Sequence, residues 1–400
     1  MKMKKKTTDI VLKRKNPPKA VRGYFSSGCT LLDLAITDKL SGGFPAGRIT
    51  HIYGLKSTTK SVLALEPLGD AQRKGGKAFY DDVEYALNEQ WLAINGVELD
   101  YDPFTEEEPD GSNFGYRNSR TIEQLFDKTV TGILKEIDKN PDLIGKCCLS
   151  VDSLTALPCK EELDRELEAG TYGGDRAKKF GVAYRKRLRD IAKAGLGIIV
   201  IDQLRSKMSK VSYGEQMTYS GGHAIAFYAY VQVHLKKGEI IKNKDGKKIG
   251  VVINFIIAKN KAGQPFREGS FRFLFKYGID NIASNIEFLK QNKIMSAPER
   301  EKIRVEIEDK YADDLKVASK SGRKTSISKV KKQIFVEYNK RVKHEQAKGW
   351  FSFRGHKTKS LDEMIAYIED NNLERALRKE VFKTWKLMDE EVGRKQKVRR

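Results

Sequence analysis

The 400-residue sequence has no long apolar run and only four cysteines. No stretch reaches the about 18 apolar residues that a membrane-spanning helix needs, so we expect no membrane partner. The cysteines show no metal-ligand spacing, and an adjacent pair lies in an apolar run that is typical of a strand. They are Cys29, Cys147, Cys148 and Cys159. We therefore expect these thiols to serve as small apolar side chains in a reducing cytoplasm.

The N terminus lacks the apolar segment of a secretory signal peptide. Its first lysines are followed by a second basic group at residues 13–15 and by the pair Pro17-Pro18. This pattern excludes a signal sequence and indicates a solvated basic tail over residues 1–22.

Acidic residues are in the minority, with 54 Asp and Glu against 76 Lys and Arg, which gives a formal net charge of +22. A charge excess of this size gives information about binding partners and not about the fold. Nucleic acid is the usual partner of a basic protein without membrane segments. The hydrophobic content of 39% suffices for the core of one large domain and a smaller one.

Short apolar runs alternate with helical patterns along the first half of the chain. The strand candidates lie at 48–54, 77–83, 147–153 and 197–203, and later at 230–237, 251–260 and 271–278. The helical patterns lie at 61–74, 89–94, 122–138 and 175–194. Alternation followed by strands in succession predicts an α/β fold with a mostly parallel, helix-covered central sheet that antiparallel strands extend.

Changes in composition divide the chain into regions. Residues 23–288 carry the alternating pattern and predict the core domain. Residues 289–349 are highly charged with sparse apolar positions, which indicates a partly helical linker or insert. Residues 350–400 regain apolar stripes at helical spacing and predict a small α+β domain with a basic tail.

The run RITHIYGLKSTTKSVLALE, residues 48–66, nearly matches a phosphate-binding loop. Gly54, Lys60 and Ser61 have the required spacing, but Thr59 occupies the place of the second glycine. In such loops backbone N–H groups surround an anion, the lysine reaches the outer phosphates and the hydroxyl ligates magnesium. A β-branched residue is a serious misfit if position 59 needs a positive φ, and the sequence leaves that question open.

Three other strand candidates end in residues that suit nucleotide hydrolysis. Asp152 has the form of a magnesium-supporting carboxylate, Glu84 is suited to activate water, and Gln203 carries an amide for a terminal phosphate. Because parallel strands share one carboxyl edge, we expect these residues to meet at the loop. Each alone is more often a cap or a turn residue, but the four strands together favour a nucleotide site.

Two segments that follow Asp152 and Gln203 mix cations with glycines and with aromatic or apolar side chains. This composition suits contact with phosphates and stacking on bases without reading their sequence. The expected DNA-binding residues are Tyr172, Arg176, Lys178, Arg205, Lys207, Met208, Lys210, Val211, Tyr213, Gly221 and Gly222. Basic surface loops have a similar composition, so attachment to the nucleotide-site strands is what favours binding.

In this order, the motifs resemble the RecA recombinase family, and especially its phage-encoded members. The similarity runs from SSGCTLLDLAI and GGFPAGRITHIYG through AFYDDVEYALN and VDSLTAL to IDQLRSKM and AKNKAGQPFREGSFRFLFKYGI. It covers most of residues 23–290, with a weaker echo at GWFSFRGHKTK. The resemblance implies a RecA-like P-loop NTPase core and a DNA-dependent ATPase. It also implies a helical filament on single-stranded DNA that pairs with homologous duplex and promotes strand exchange.

The resemblance also implies roles by position, with ATP and Mg²⁺ as cofactors. The catalytic residues implied are Lys60, Glu84, Gln203, Lys259 and Lys261, the two last reaching ATP on the neighbouring protomer. The nucleotide-binding residues implied are Gly54, Ser57, Thr58, Thr59, Lys60, Ser61, Asn88 and Trp91. The residues implied to support the metal are Ser61 and Asp152. Gln203 is implied to couple the γ-phosphate to DNA binding.

Departures from the family pattern affect the expected activity. Thr59 and Lys56, where the family has a glycine and usually an acid, favour slow hydrolysis. Ala226 stands where a lysine is common at the protomer interface, beside a retained Phe227. About fifty residues are inserted before Trp350, and the C-terminal tail is basic. The short N terminus and altered loop favour a phage-encoded protein that acts in the bacterial cytoplasm, with single-strand-binding and loader proteins as further partners.

Two alternatives stay open at this point. A ring-forming helicase or translocase of the same fold uses the same nucleotide residues. A non-hydrolysing DNA-binding mediator would retain the fold with an inactive loop.

Overall fold

The computed structural model describes residues 21–163, 174–207, 216–219, 223–292, 297–320, 324–347 and 351–392. These residues form two compact units, and the division falls between Asn281 and Ile282. The domain boundaries that the composition indicates remain predictions.

The first unit is built on one large sheet. Its strands are β3 (Ile49–Gly54), β4 (Ala78–Asp82), β5 (Phe114–Arg117), β6 (Cys148–Asp152), β7 (Gly197–Lys207), β8 (Gln216–Tyr219), β9 (Val231–Lys242), β10 (Lys248–Asn260), β11 (Glu268–Leu274) and β12 (Gly278–Asp280). The short strands β1 (Tyr24–Phe25) and β2 (Phe44–Pro45) pair separately. The helices are α1 (Thr30–Thr37), α2 (Lys60–Arg73), α3 (Glu89–Ile94), α4 (Ile122–Gln124), α5 (Thr131–Lys139), α6 (Lys160–Leu163), α7 (Gly174–Ala194) and α8 (His223–Tyr228), with a π-helical turn, Leu125–Val130, joining α4 to α5.

The strand order of the sheet is β12-β11-β10-β9-β3-β7-β6-β4-β5, and β8 pairs with β7. The strands from β9 to β5 pair in parallel, and the strands from β9 to β12 pair antiparallel. The predicted α/β class, with a mostly parallel sheet that antiparallel strands extend, is confirmed.

Burial explains why the central strands are nearly continuous apolar runs. Every residue of β3, β4 and β6 is buried, as is typical of parallel strands covered by helices on both faces. One apolar core joins side chains of the sheet, such as Leu149 and Val200, to Ile133 of α5 and Phe180 of α7. On α2, the carbonyl oxygen of Ala64 accepts a 2.6 Å hydrogen bond from the Ser150 hydroxyl, which fixes the helix that follows the loop against β6.

Two features of this unit differ from the sequence-based expectation. Strand β5 was not anticipated, and it extends the parallel sheet beyond β4. The second segment expected to bind DNA begins in paired strand, because β7 continues to Lys207 and pairs antiparallel with β8.

The second unit contains helices and a two-stranded antiparallel sheet. Its elements are α9 (Asn281–Gln291), whose first residue belongs to the first unit, α10 (Ala297–Lys310), α11 (Ala312–Lys320), α12 (Lys324–Ala347), β13 (Phe351–Phe353), β14 (His356–Thr358), α13 (Leu361–Asp370) and α14 (Glu374–Val392). Phe351, Phe353, Met364 and Ile368 share a buried cluster with Ile286 of α9. Within the described residues, no helix is both long and apolar enough to cross a membrane.

Candidate nucleotide and nucleic-acid site

The loop after β3 begins at a position that only glycine fits. A Cβ atom at Gly54 would lie 2.4 Å from the carbonyl oxygen of Leu235 on β9 and 2.8 Å from Oγ1 of Thr58. The Thr58 hydroxyl also donates a 2.9 Å hydrogen bond to the carbonyl of Leu55. The loop is therefore closed tightly between β3 and α2.

Two loop residues, Ser57 and Thr59, have left-handed backbone, with φ of 58° and 59°. Thr59 directly precedes the first residue of α2. Left-handed backbone costs a residue with a Cβ about 1–2 kcal/mol, and β-branched residues tolerate it least. Thr59 thus adopts a backbone conformation that a glycine would adopt at lower cost. Among the described residues, the buried Oγ1 of Thr59 has no hydrogen-bond partner.

Lys60 is buried at the start of α2, where its ammonium group donates a 2.8 Å hydrogen bond to the Leu55 carbonyl. Burial lowers the pKa of Lys60, while the nearby carboxylates of Asp152, Glu84 and Asp202 raise it. One carboxylate at the end of β6, one just beyond β4 and one within β7 therefore act on a single ammonium group.

Asp152 ends β6 and is buried. Burial raises the pKa of its carboxyl group, and hydrogen bonds from Ser61 and Tyr80 lower it. The Tyr80 hydroxyl donates at 2.9 Å to Oδ2. The Ser61 hydroxyl and the Asp152 carboxylate offer the hard oxygen ligands that Mg²⁺ prefers. This ion usually completes its coordination shell with water and phosphate. In the described part of the chain, no group of three or more His, Cys, Asp or Glu could hold a metal by itself.

Glu84 lies just beyond β4, beside the end of β6. Its backbone N–H donates a 3.2 Å hydrogen bond to the carbonyl of Asp152, and its carboxylate accepts a hydrogen bond from the Ser153 hydroxyl. The neighbouring carboxylates have structural partners instead. Asp81 accepts from Ser119, and Asp82 accepts from the backbone N–H groups of Ala86 and Leu87. Glu84 is thus the exposed carboxylate at this strand end.

Gln203 lies opposite Gly54 in the register of the neighbouring strands β3 and β7. Its backbone N–H donates to Oδ1 of Asp202 at 2.9 Å and to Oγ1 of Thr155 at 3.0 Å. The Thr155 hydroxyl donates to the same carboxylate oxygen. Gln203 is therefore fixed beside Gly54, where the loop after β3 begins.

Comparison with known proteins decides the family. A model of the RecA N-terminal domain matches residues 4–115 and 142–280. The protein RecA of Trichodesmium erythraeum (strain IMS101) is 31% identical over 270 residues, which are 68% of each chain. The protein RecA of Nostoc punctiforme (strain ATCC 29133 / PCC 73102) is 32% identical over 270 residues, also 68% of each chain. The chain belongs to the RecA family.

Sequence reasoning missed a series of buried polar side chains on the strands that adjoin the loop after β3. Nε2 of His51 on β3 lies 3.5 Å from Oδ2 of Asp202, and both side chains are fully buried. Nδ1 of His51 lies 3.1 Å from the side-chain amide nitrogen of Gln232 on β9. This series of contacts crosses the three adjacent strands β9, β3 and β7 and ends at the backbone of Gln203. Polar residues inside apolar strand runs were the available signal.

The two residues expected beside a nucleotide base have local contacts in this RecA-family core. Oδ1 of Asn88 accepts a 2.8 Å hydrogen bond from the Gln90 N–H and caps α3. The Trp91 ring stacks on Phe273 with centroids 5.7 Å apart. Their role at a base remains a prediction.

The two lysines expected to reach a neighbouring protomer lie at the end of β10 and just after it. The Lys259 ammonium donates 2.7 Å hydrogen bonds to the carbonyls of Ala226 and Phe227, at the end of α8. Burial and the Lys261 charge lower the pKa of Lys259. Lys261 is exposed, and its backbone N–H donates to the Tyr230 carbonyl at 2.9 Å. Within one protomer, Lys259 thus fixes α8 to the sheet.

The structure describes some of the expected DNA-binding residues. On α7, the Arg176 guanidinium donates to Glu162 and to the Thr155 carbonyl, and Lys178 is exposed. Arg205 and Lys207 lie in the last three residues of β7. The remaining candidates lie outside the described residues: Tyr172, Met208, Lys210, Val211, Tyr213, Gly221 and Gly222. All these DNA contacts remain predictions.

Proposed function

We propose that this RecA-family protein is an ATP-dependent DNA recombinase. It would form a helical filament on single-stranded DNA and promote homologous pairing and strand exchange. The observation that carries the proposal is the course of β7. This strand holds Gln203 beside Gly54 of the phosphate loop and then continues to Lys207, at the segment expected to bind DNA. A displacement of Gln203 at the nucleotide would therefore move the DNA segment directly.

The donor set fits ATP and Mg²⁺. The orphaned Oγ1 of Thr59 and the buried Lys60 ammonium suit phosphate oxygens, and Ser61 with Asp152 suits the metal. Ser61 and Asp152 would hold Mg²⁺, which would supply positive charge against the phosphate oxygens. Lys60 would exchange its bond to the Leu55 carbonyl for phosphate oxygens.

Glu84 is the residue proposed to accept the proton of the attacking water. It is exposed at the edge where β4 and β6 end, and Ser153 orients its carboxylate. Hydrogen-bond reach and orientation are the geometric requirements of a general base. Its backbone bond to Asp152 fixes its distance from the metal-supporting carboxylate.

Assembly would complete the site, with Lys261 and Lys259 contributed by a neighbouring protomer. A head-to-tail interface of this kind produces an open helix rather than a closed dimer. Cations at the transferred phosphate account for 10³-fold or larger effects in related chemistry, so hydrolysis would depend on assembly. We further propose action in the bacterial cytoplasm, a phage origin, and single-strand-binding and loader proteins as partners.

One observation favours a second candidate, a non-hydrolysing DNA-binding mediator. Thr59 adopts φ +59° in the loop, a conformation that disfavours a β-branched residue. A strained loop fits slow hydrolysis under the main proposal and none under the second. A ring-forming translocase is the other alternative within this fold.

The test is strand exchange between circular single-stranded DNA and a homologous linear duplex, scored by gel, with electron micrographs of the same samples. The proposal predicts joint molecules and helical filaments with ATP, and neither with ADP. Glu84→Gln should keep the filaments and lose turnover. Rings in the micrographs would support the translocase, and identical DNA binding with and without ATP would support the mediator.

A further inference from the structure

The helices α10, α11 and α12 lie outside the residues that the RecA N-terminal domain model matches. Their charge is unevenly distributed. Helix α10 has four basic and five acidic residues, whereas α12 has seven basic and two acidic residues. The positive charge of this inserted segment is therefore concentrated on α12.

One face of α12 lines a groove with a cavity volume of about 920 Å³. Four cations border the groove: the exposed lysines Lys329, Lys332 and Lys340, and Arg341, which forms an ion pair with Glu306 of α10 at 4.0 Å. Val336, whose side chain is 58% exposed, lies between them, and Tyr311 lines the opposite side. The groove thus places an exposed apolar side chain and an aromatic ring beside a set of cations.

The carboxylate in this groove already has partners. Glu337 accepts a 2.6 Å hydrogen bond from Lys310 and a second bond from the Tyr311 hydroxyl. Its negative charge is therefore compensated locally. The charge available to a partner is therefore that of the three lysines, which calls for an anionic occupant.

The cations form a row along the helix. At 100° per residue, Lys329, Val336 and Lys340 lie within about 40° of one another around the axis. Lys329 and Lys340 are about 16 Å apart along it, with Lys332 between them. A row of cations follows a phosphate backbone, and apolar or aromatic side chains beside it contact the faces of unpaired bases. Duplex DNA presents phosphates but keeps its base faces stacked, so Val336 and Tyr311 beside the cations favour a single strand.

We propose that this α12 groove is an accessory binding site for single-stranded DNA. The proposal deepens the proposed function, on which it rests for the identity of the anionic polymer. It adds a site in the second compact unit to the segments after Asp152 and Gln203.

Two full-length variants with equal loss of charge test the site. The groove variant combines Lys329→Gln, Lys332→Gln and Lys340→Gln. The control combines Lys302→Gln, Lys316→Gln and Lys331→Gln, exposed lysines of the same helices that do not line the groove. Binding of a fluorescent oligo-dT is measured by anisotropy over a range of salt. Crosslinks of an iodouracil-substituted oligonucleotide are mapped by mass spectrometry.

The proposal predicts crosslinks on α12 or Tyr311 in wild type and in the control variant, and their loss in the groove variant. The slope of log affinity against log salt should fall by about 2 for the groove variant, at about 0.7 for each lost phosphate contact. It should stay unchanged for the control. Equal effects in both variants, or no α12 crosslink in wild type, would overturn the proposal. So would displacement of the crosslinks by poly-glutamate at equal charge concentration, since that result assigns the groove to an acidic polypeptide.

The result of the crosslinking test can be distinguished from the result of the test of the proposed function. ATP turnover at saturating DNA should be the same in wild type and in the groove variant, because the groove residues lie outside the nucleotide loop. A protein without ATP-dependent binding contradicts the recombinase proposal, and the crosslinks on α12 still decide the accessory site.

Discussion

His51 and Asp202 form a buried pair between the neighbouring strands β3 and β7, with Nε2 and Oδ2 3.5 Å apart. The other carboxylate oxygen of Asp202 and the Thr155 hydroxyl both accept the N–H of Gln203. A buried charge needs partners of this kind, since an unpaired one is costly. The pair therefore connects the centre of the sheet to the residue proposed to contact the γ-phosphate.

Asp202→Ala should lower the free energy of unfolding by about 3 kcal/mol, because it removes the partner of buried His51 and one acceptor of Gln203. Asp202→Asn retains the shape and one oxygen acceptor, so we expect a loss of about 1 kcal/mol. Urea denaturation followed by circular dichroism measures both. Equal losses in the two variants would contradict a role for the carboxylate contacts.

Thr59→Gly should raise the free energy of unfolding by about 1 kcal/mol, because glycine adopts φ +59° without the cost that a Cβ incurs. ATP turnover should rise with it if strain in the loop limits hydrolysis. Thr59→Ala is the matched control, since it keeps the Cβ and should gain less than half as much. A glycine variant no more stable than the alanine variant would show that position 59 is not strained.

The raised pKa of Glu66 predicts that the stability of the protein depends on pH. Burial raises the pKa of its carboxyl group to about 8, with Arg73 lowering it and Asp33 and Asp70 raising it. Between about pH 5 and pH 8 the folded protein keeps a proton that the unfolded chain has lost, so the free energy of unfolding falls as pH rises. Glu66→Gln should remove this part of the fall. The exposed Glu107→Gln serves as control, and equal pH profiles for both variants would contradict the assignment.

Mixing two inactive variants tests the proposed sharing of the site between protomers. Lys60→Ala lacks the loop lysine, and Lys261→Ala lacks the lysine proposed to act on the neighbour. In an equal mixture, roughly a quarter of head-to-tail interfaces combine an intact loop with an intact Lys261. DNA-stimulated ATP turnover should therefore recover to about that fraction of wild type. Turnover of Lys261→Ala alone at the wild-type rate would show that this lysine acts elsewhere.

The loop and the strand ends were predictable because they depend on local spacing. Gly54, Lys60 and Ser61 follow a motif, and Asp152 and Gln203 end apolar runs whose parallel pairing brings them to one edge. The conformation of Thr59 was not predictable, since it depends on how the loop closes against Leu235. The pairing of His51 with Asp202 was also missed, because it arises from the register of strands about 150 residues apart in the chain. Strand β5 is too short to show periodicity.

The most direct test of the central claim is ATP hydrolysis by wild type and by Lys60→Ala, each with and without single-stranded DNA at one fixed low salt concentration. The proposed function predicts turnover in the wild type that DNA stimulates, and its loss in Lys60→Ala. Turnover that is equal in both proteins, or that DNA does not affect, would contradict a DNA-dependent ATPase at this loop.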